Sequence, residues 1–148
     1  MSPPPRHADP RVSRIVVLFE QLTPPDVARL GEFYTPDAQF KDPFNQVRGV
    51  PQVQRIFGHM FTALDDPRFV VHDIVVQGEH CFLTWDFVFR LRRFSRALQT
   101  IHGSSHLKLA ADGRIEMHRD YWDAAEELYE KLPVVGMLMR WLKKRANA

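Results

Sequence analysis

The fold of this chain is decided by a run of eleven residues, His80-Cys81-Phe82-Leu83-Thr84-Trp85-Asp86-Phe87-Val88-Phe89-Arg90. Successive side chains of an extended strand point to opposite faces, so Trp85 belongs to one face and Asp86 to the other. Large apolar side chains occur on both faces of this run. It therefore predicts a strand inside a sheet that needs a cover on each side.

Further strands flank this run on both sides. Strand patterns extend over residues 69–77, 98–110 and 114–122. Gly78 and the dipeptide Asp112-Gly113, which is common in tight hairpins, separate them. An antiparallel meander of long strands is the expected result.

Three helices are expected before the meander. Apolar residues recur at helical spacing over residues 11–22, 23–33 and 51–64. Helices that are segregated from strands indicate an α+β fold, in which the helices cover one face of a sheet, and disfavour a parallel doubly wound sheet. After the meander, Asp123 has the position of a helix cap, and residues 131–148 predict an extra amphipathic C-terminal helix.

Composition indicates one ordinary globular domain. The chain has 148 residues and a formal net charge of +2, so its overall field gives no support to a nucleic-acid partner. The lone Cys81 excludes an internal disulfide and suits a cytoplasmic protein. We expect a disordered, proline-rich lead over residues 1–10 and one domain over residues 11–130.

The sheet predicts a second subunit. If the helices cover one apolar face, another copy of the chain is the economical cover for the other face, so we expect a homodimer through the sheet. The C-terminal helix has a basic end that could rest on a membrane surface. Docking over a pocket mouth or on the dimer partner explains its apolar stripe as well, so membrane contact is not expected.

Asp42 stands out in the segment Phe40-Lys41-Asp42-Pro43-Phe44. Strand alternation directs Asp42 to the same side as Phe40, and Pro43 favours an extended backbone before it. An apolar environment favours the neutral form of a carboxyl group and suits it to proton transfer near neutral pH. The alternative is a turn-capping aspartate that accepts from amides of the following loop. Spacing alone leaves both interpretations open.

Two further carboxylates are candidates. Alternation places His118, Asp120 and Trp122 on one face, which would suit an acid/base pair beside a ring, although a structural hydrogen bond is the commoner arrangement. Asp86 lies among apolar residues and therefore needs a partner, water or a proton. It is either a pocket carboxylate or a structural acceptor for Arg119 or a backbone donor.

Metal and cofactor sites are not predicted. The remaining histidines do not show the spacing with acidic or thiolate ligands that metal sites use. Ser105 and His106 are adjacent, so they point to opposite faces of a strand and do not form a nucleophile and its base. We expect no metal and no cofactor.

The order of these segments resembles the nuclear transport factor 2-like superfamily, which includes SnoaL-like domains. The resemblance runs over residues 11–130 and rests on Phe33-Tyr34-Thr35-Pro36-Asp37-Ala38, the strand end Asp42-Pro43, the Arg48-Gly49 turn, the third helix and the meander. It implies a cone-shaped fold, in which a curved antiparallel sheet wraps around three N-terminal helices and encloses an apolar pocket.

Two enzyme families within that superfamily suggest roles. The aspartate before a proline resembles the base of ketosteroid isomerases, which implies that Asp42 abstracts a proton. The oxyanion-donor positions of that family fall on Phe19, which cannot donate, and on Ser105, which is a weaker donor than a carboxylic acid. The segment from Arg119 to Asp123 resembles limonene-epoxide hydrolases and implies that Asp120 is a pocket residue. The partner positions in those hydrolases fall on Asp86 and Val88.

The leading hypothesis is a protein that binds a small apolar molecule and is an isomerase, lyase or hydrolase, with Asp42 as general base and Asp120 or His118 as its partner. The alternative is a noncatalytic ligand-binding or protein-interaction module of the same fold. The residues expected to bind the substrate are Phe19, Phe40, Phe57, Asp86, Ser105 and Trp122.

Overall fold

A computed structural model of the chain describes residues 4–92, 96–127 and 133–146. The helices and strands follow the predicted order. They are α1 (Pro10–Glu20), α2 (Pro24–Val27), a 3₁₀ turn (Leu30–Glu32), β1 (Tyr34–Lys41), β2 (Gln46–Arg48), α3 (Val50–Ala63), β3 (Leu64–Gln77), β4 (His80–Leu91), β5 (Leu98–Leu109), β6 (Ile115–Tyr121), α4 (Ala124–Glu127) and α5 (Pro133–Ala146).

The six strands form one curved, unclosed sheet in the order β2-β1-β6-β5-β4-β3. Neighbouring strands run antiparallel, except that β1 and β6 run parallel. Register shifts interrupt the β3–β4 and β5–β6 pairings, and such irregularities bend strands. The predicted α+β class and cone-shaped fold are confirmed, and the predicted antiparallel sheet has this one parallel pair.

Helices α1 and α3 cover the inner face of the sheet. Asp9 accepts from the backbone N–H of Arg11 and caps α1, and Pro10 occupies its first turn. The buried apolar residues of this helix are Val12, Ile15, Val16, Leu18 and Phe19. Helix α3 buries Val53 and Phe57. The core therefore lies between these two helices and the inner face of the sheet.

The second helix and the first strands differ from the predictions. The segment expected to be one helix forms the single turn of α2 and a separate 3₁₀ turn. β1 begins at Tyr34, four residues before the expected start at Ala38, and the expected turn after Asp42 includes the short strand β2. Pro36 lies where the β1–β6 register shifts, which is where a sheet tolerates a residue without an N–H donor.

The structure can be compared with the predictions for the two ends of the chain, namely a disordered lead and a C-terminal helix. The lead was expected to be disordered, but Arg6 donates to the Ser13 hydroxyl, to Glu20 and to the carbonyl of Val71, so the part next to α1 is tied to the domain. Asp123 caps α4 through the N–H of Glu126, as predicted. The expected C-terminal helix is α5; residues 1–3 and the predicted boundary at 130/131 lie outside the described residues.

Within the described ranges, none of the helices has the length and apolar character that crossing a bilayer requires.

Candidate active site

A small cavity lies inside the cone between the helices and the sheet. It holds about 20 Å³ of space, roughly what one water molecule needs. Most of its wall is aromatic and aliphatic, and Ser105, His118 and Asp120 supply its polar part. The lining residues are Phe19, Phe57, Phe69, Val71, Leu83, Trp85, Ser105, His118 and Asp120.

Strand register brings the three polar residues together. Ser105 of β5 lies directly opposite Asp120 of β6, and Leu107 lies opposite His118. Residues at alternate positions of a strand share a face, so His118 and Asp120 both point inward. This confirms the predicted shared face of His118 and Asp120, with Ser105 added from the neighbouring strand.

His118 connects Asp120 to a buried tyrosine. Its Nε2 lies 2.6 Å from Asp120 Oδ1, and its Nδ1 lies 2.8 Å from the hydroxyl of Tyr34. The Tyr34 ring stacks almost parallel on the imidazole, and the rings of Phe19 and Phe40 contact it from other sides. The imidazole is therefore fixed in position by packing and by a bond at each nitrogen.

The phenol of Tyr34 determines which nitrogen of His118 carries a proton. Burial raises the pKa of Tyr34 well above its usual value, and the negative charge of Asp120 raises it further, so the phenol keeps its proton. A phenol O–H that donates to Nδ1 leaves the proton of a neutral imidazole on Nε2. His118 then donates from Nε2 to Asp120.

Asp120 receives a second donor on the same oxygen. The Ser105 hydroxyl donates to Asp120 Oδ1 over 2.5 Å, and the indole N–H of Trp85 donates to Ser105 Oγ over 2.9 Å. Gly103 makes room for the Trp85 ring, because a Cβ at this position would lie less than 3.0 Å from three ring atoms. The chain of hydrogen bonds thus runs from Tyr34 through His118, Asp120 and Ser105 to Trp85.

Asp120 also borders an outer depression, which we call the mouth. The mouth has a volume of about 540 Å³ and is lined by Lys41, Asp42, Pro43 and residues 119–123. His118 and Ser105 both donate to Oδ1 of Asp120, and in the described part of the chain Oδ2 has no hydrogen-bond donor. Asp120 therefore borders both the interior and the mouth, and its Oδ2 accepts no bond from the described residues.

Asp42 lies in a turn and does not line the interior cavity. Its Oδ1 accepts from the backbone N–H groups of Phe44 and Asn45, at 2.8 and 2.6 Å, and the Asn45 side-chain amide lies 3.1 Å from both carboxylate oxygens. β1 ends at Lys41, so the strand alternation that predicted an inward Asp42 stops one residue before it. The turn-capping alternative describes these contacts.

Two predicted aromatic residues support the site from outside the cavity. Phe40 is buried and its ring centroid lies 4.7 Å from that of His118. Trp122 borders the mouth and packs edge-on against Phe44 at 5.5 Å. Phe19, Phe57 and Ser105 line the interior cavity.

Asp86 lies on the opposite face of the sheet, which corrects its prediction as a pocket residue. Its neighbour Trp85 points into the cavity, so alternation sends Asp86 outward. Its partners are His72, at 3.0 Å, and His102, both from flanking strands, and not the expected Arg119. The hydrogen bond from His72, followed by that from His102, holds the pKa of Asp86 below its usual value.

Sequence reasoning did not select Tyr34, which the structure places beside His118. A signal was present, because positions 34, 38 and 40 have the same parity and Phe40 was assigned to the inner face. All three are buried. In residues 4–92, 96–127 and 133–146, no three His, Cys, Asp or Glu side chains are grouped so that they could hold a metal ion.

The fold and this site define a class of small α+β proteins with a conical interior. The sequence matches the SnoaL-like domain family over residues 16–118, which is more than half of the chain, and the protein belongs to that family. A search of curated proteins finds no match to the sequence.

Solved structures share the fold at low sequence identity. A hypothetical protein with a ketosteroid isomerase-like fold from Catenulispora acidiphila, in complex with trimethylamine, has a TM-score of 0.70 and 13% identity, over 82% of this chain and 92% of its own. A protein from Jannaschia sp., described as a candidate SnoaL-like polyketide cyclase, has a TM-score of 0.68 and 17% identity, over 78% of this chain and 87% of its own.

A third relative comes from Agrobacterium tumefaciens and is described as a candidate isomerase of the SnoaL-like family. Its TM-score is 0.60 with 14% identity, over 76% of this chain and 94% of its own. At these identities the three structures establish the shared fold alone.

Proposed function

We propose that this protein binds a small apolar molecule and removes a proton from it, with Asp120 as the general base. The reaction class is proton abstraction next to a carbonyl group, as in an isomerase or a cyclase. His118 and Ser105 position the base through Oδ1, and Oδ2 takes the proton. Asp42, the base implied by resemblance, instead shapes the mouth through its turn.

One observation carries the proposal, namely that Oδ1 of Asp120 accepts from both His118 and Ser105. Two donors on one oxygen fix the carboxylate plane before the substrate arrives. The other oxygen is left for the substrate. A base that is held in this way needs little reorganisation when it accepts a proton.

The class of reaction is supported by general chemistry and by the names of structural relatives. A double-bond isomerisation and an aldol ring closure both begin with loss of a proton beside a carbonyl. Two relatives are described as a candidate polyketide cyclase and a candidate isomerase. The apolar lining around Asp120 suits the carbon skeleton of such a substrate.

The test uses cyclohex-3-enone, a small β,γ-unsaturated ketone. A base removes the proton between the carbonyl and the double bond and returns it to the γ carbon, and the conjugated product absorbs in the ultraviolet. We expect the wild-type protein to isomerise the ketone faster than buffer does. We expect Asp120→Asn to lower this isomerisation rate at least about a hundredfold. Equal rates for protein and buffer, or an unchanged rate in Asp120→Asn, would contradict the proposal.

A noncatalytic binding module is the second candidate, and two observations favour it. The interior holds only about 20 Å³ of space, so a ligand must displace side chains or occupy the mouth. Moreover, Trp85, Ser105 and His118 donate to one another or to Asp120, which leaves the interior cavity without a free side-chain donor, among the described residues, for a developing oxyanion. Binding of the ketone without turnover would support this candidate.

A further inference from the structure

A second depression lies on the outer side of strands β2, β1 and β6, beside the mouth. It has a volume of about 470 Å³, and its charged lining residues are Lys41, Arg48 and Arg119. The amide side chains of Gln39 and Gln46 belong to the same lining. We call this group of five residues the cationic depression.

Strand register places these side chains on one face. Lys41 pairs with Gln46 of β2 and with Arg119 of β6, and Gln39 pairs with Arg48. Paired residues point to the same side of a sheet, and neighbouring strands lie about 5 Å apart. Arg48 is a diagonal neighbour of Lys41, about 7 Å away between backbones. Three positively charged side chains thus line one depression.

The three cations have no carboxylate partner among the described residues. By contrast, several arginines elsewhere in the described chain form ion pairs, namely Arg6, Arg11, Arg29, Arg92, Arg96 and Arg114. The two acids adjacent in sequence form their hydrogen bonds with other residues: Asp42 bonds within its own turn, and Asp120 accepts from His118 and Ser105 through Oδ1. Within the described ranges, therefore, no ion pair neutralises these three cations, while Asp42, Asp120 and Asp123 line the adjoining mouth.

This arrangement has an energetic cost unless an anion joins it. Like charges directly opposite one another in a sheet are destabilising, and Lys41 and Arg119 are such a pair. Both are only half-exposed, so water screens them less than it screens free surface charges. The Arg119 guanidinium stacks over the Tyr121 ring at 4.7 Å, which holds it in place.

We propose that the cationic depression binds the dianionic phosphate group of a small phosphate monoester. Two guanidinium groups, one ammonium and two amides match the several acceptor oxygens of a phosphate. Three positive charges suit a dianion better than a monoanionic carboxylate or phosphodiester. The depression shares Lys41 and Arg119 with the mouth, so a ligand anchored there can extend its organic part into the mouth, which Asp120 also lines.

The test titrates the full ¹⁵N-labelled chain with phenyl phosphate at constant ionic strength set by sodium chloride. We expect saturable shifts of the Lys41, Arg48 and Arg119 amide signals. Inorganic phosphate should bind more weakly, because it lacks the organic part. Dimethyl phosphate, a monoanionic diester, and benzoate should bind least. Affinity should fall as the pH drops below about 6, where a phosphate monoester loses its second charge.

Substitutions at Arg48 and Arg119 test whether phosphate binds in the cationic depression. Arg48→Gln and Arg119→Gln should each weaken phenyl phosphate binding about tenfold, because each removes a charge-assisted hydrogen bond. The matched control is Arg55→Gln, since Arg55 is an exposed residue of α3 outside the depression. Shifts that do not saturate, equal binding of the diester, or equal loss in the Arg55 control would overturn the proposal.

The proposal of a phosphate site and the proposal that Asp120 is a base can be contradicted independently of each other. The titration measures binding and needs no turnover, so an absence of enone isomerisation does not affect its result. Conversely, an absence of phosphate binding leaves the proton-transfer proposal for Asp120 in place.

Discussion

The Nε2 atom of His118 lies 2.6 Å from Oδ1 of Asp120, and the two residues are separated along β6 by only one position. This spacing holds both side chains on the inner face of the sheet. On the far side of the imidazole, Tyr34 contributes its hydroxyl from the parallel strand β1. The pair formed by His118 and Asp120 on β6 is therefore supported by a hydroxyl group from the neighbouring strand β1.

Removal of the Tyr34 hydroxyl should destabilise the protein. It should also remove the contact that fixes which ring nitrogen of His118 carries the proton. Tyr34→Phe leaves Nδ1 buried without its donor, which costs about 1–3 kcal/mol. Urea unfolding measures the loss, and ¹⁵N signals of labelled histidine report which nitrogen carries the proton. Tyr121→Phe is the control, because Tyr121 is exposed, and it should change stability by less than about 0.5 kcal/mol. Equal stability of the two variants would show that the buried bond is unimportant.

A single methyl group at Gly103 should disturb the site through Trp85. Gly103→Ala places a Cβ within 3.0 Å of the indole ring, so the ring must move and its bond to Ser105 weakens. We expect a loss of about 1–3 kcal/mol in the free energy of unfolding. Gly58→Ala in α3, where a Cβ meets nothing within 4 Å, should stabilise by up to about 1 kcal/mol. If both variants gain stability, Trp85 is not packed against Gly103.

The thiol of Cys81 should be inert while the protein is folded. Burial raises its pKa from 9.0 to about 11, so at pH 8 it is protonated and inaccessible. Above pH 9 the unfolded thiol ionises before the folded one, so stability should fall as the pH rises towards 11. Reaction with a disulfide reagent at pH 8 should follow the unfolding rate. Rapid modification of the folded protein would contradict the buried position.

The outer face of the sheet should pair with a second copy of the chain. Val75 and Phe82 are cross-strand neighbours there, and 59% and 46% of their surfaces are exposed in a single chain. Phe82→Asp should dissociate a dimer that sedimentation detects in the wild type, because it places a charge in an apolar contact. Arg55→Asp on α3 is the control. A wild-type protein that stays monomeric at high concentration would contradict the homodimer.

The sequence predicted the sheet better than it predicted the site. Period-two alternation correctly separated Trp85 from Asp86, but it does not say which face is inside; that depends on where the helices pack. The same alternation misplaced Asp42, because the strand ends at Lys41 and the backbone N–H of Asp42 bonds to the carbonyl of Asn45.

His118 and Asp120 were predictable because both lie inside a regular strand. Their connection to Tyr34 was not, because β1 and β6 are a parallel pair far apart in sequence, with a register shift between Tyr34 and Gln39. Ser105 was reached through the resemblance, and its bond to Asp120 follows from a β5–β6 register that sequence alone does not fix.

Comparison of Asp120→Asn with Asp42→Asn tests the central claim most directly. Both substitutions replace a carboxylate by an amide of the same shape, and both sites border the mouth. With cyclohex-3-enone as the probe and folding checked by circular dichroism, we predict at least a roughly hundredfold loss of the isomerisation rate for Asp120→Asn and a rate close to wild type for Asp42→Asn. The reverse order, with activity lost in Asp42→Asn and kept in Asp120→Asn, would contradict it.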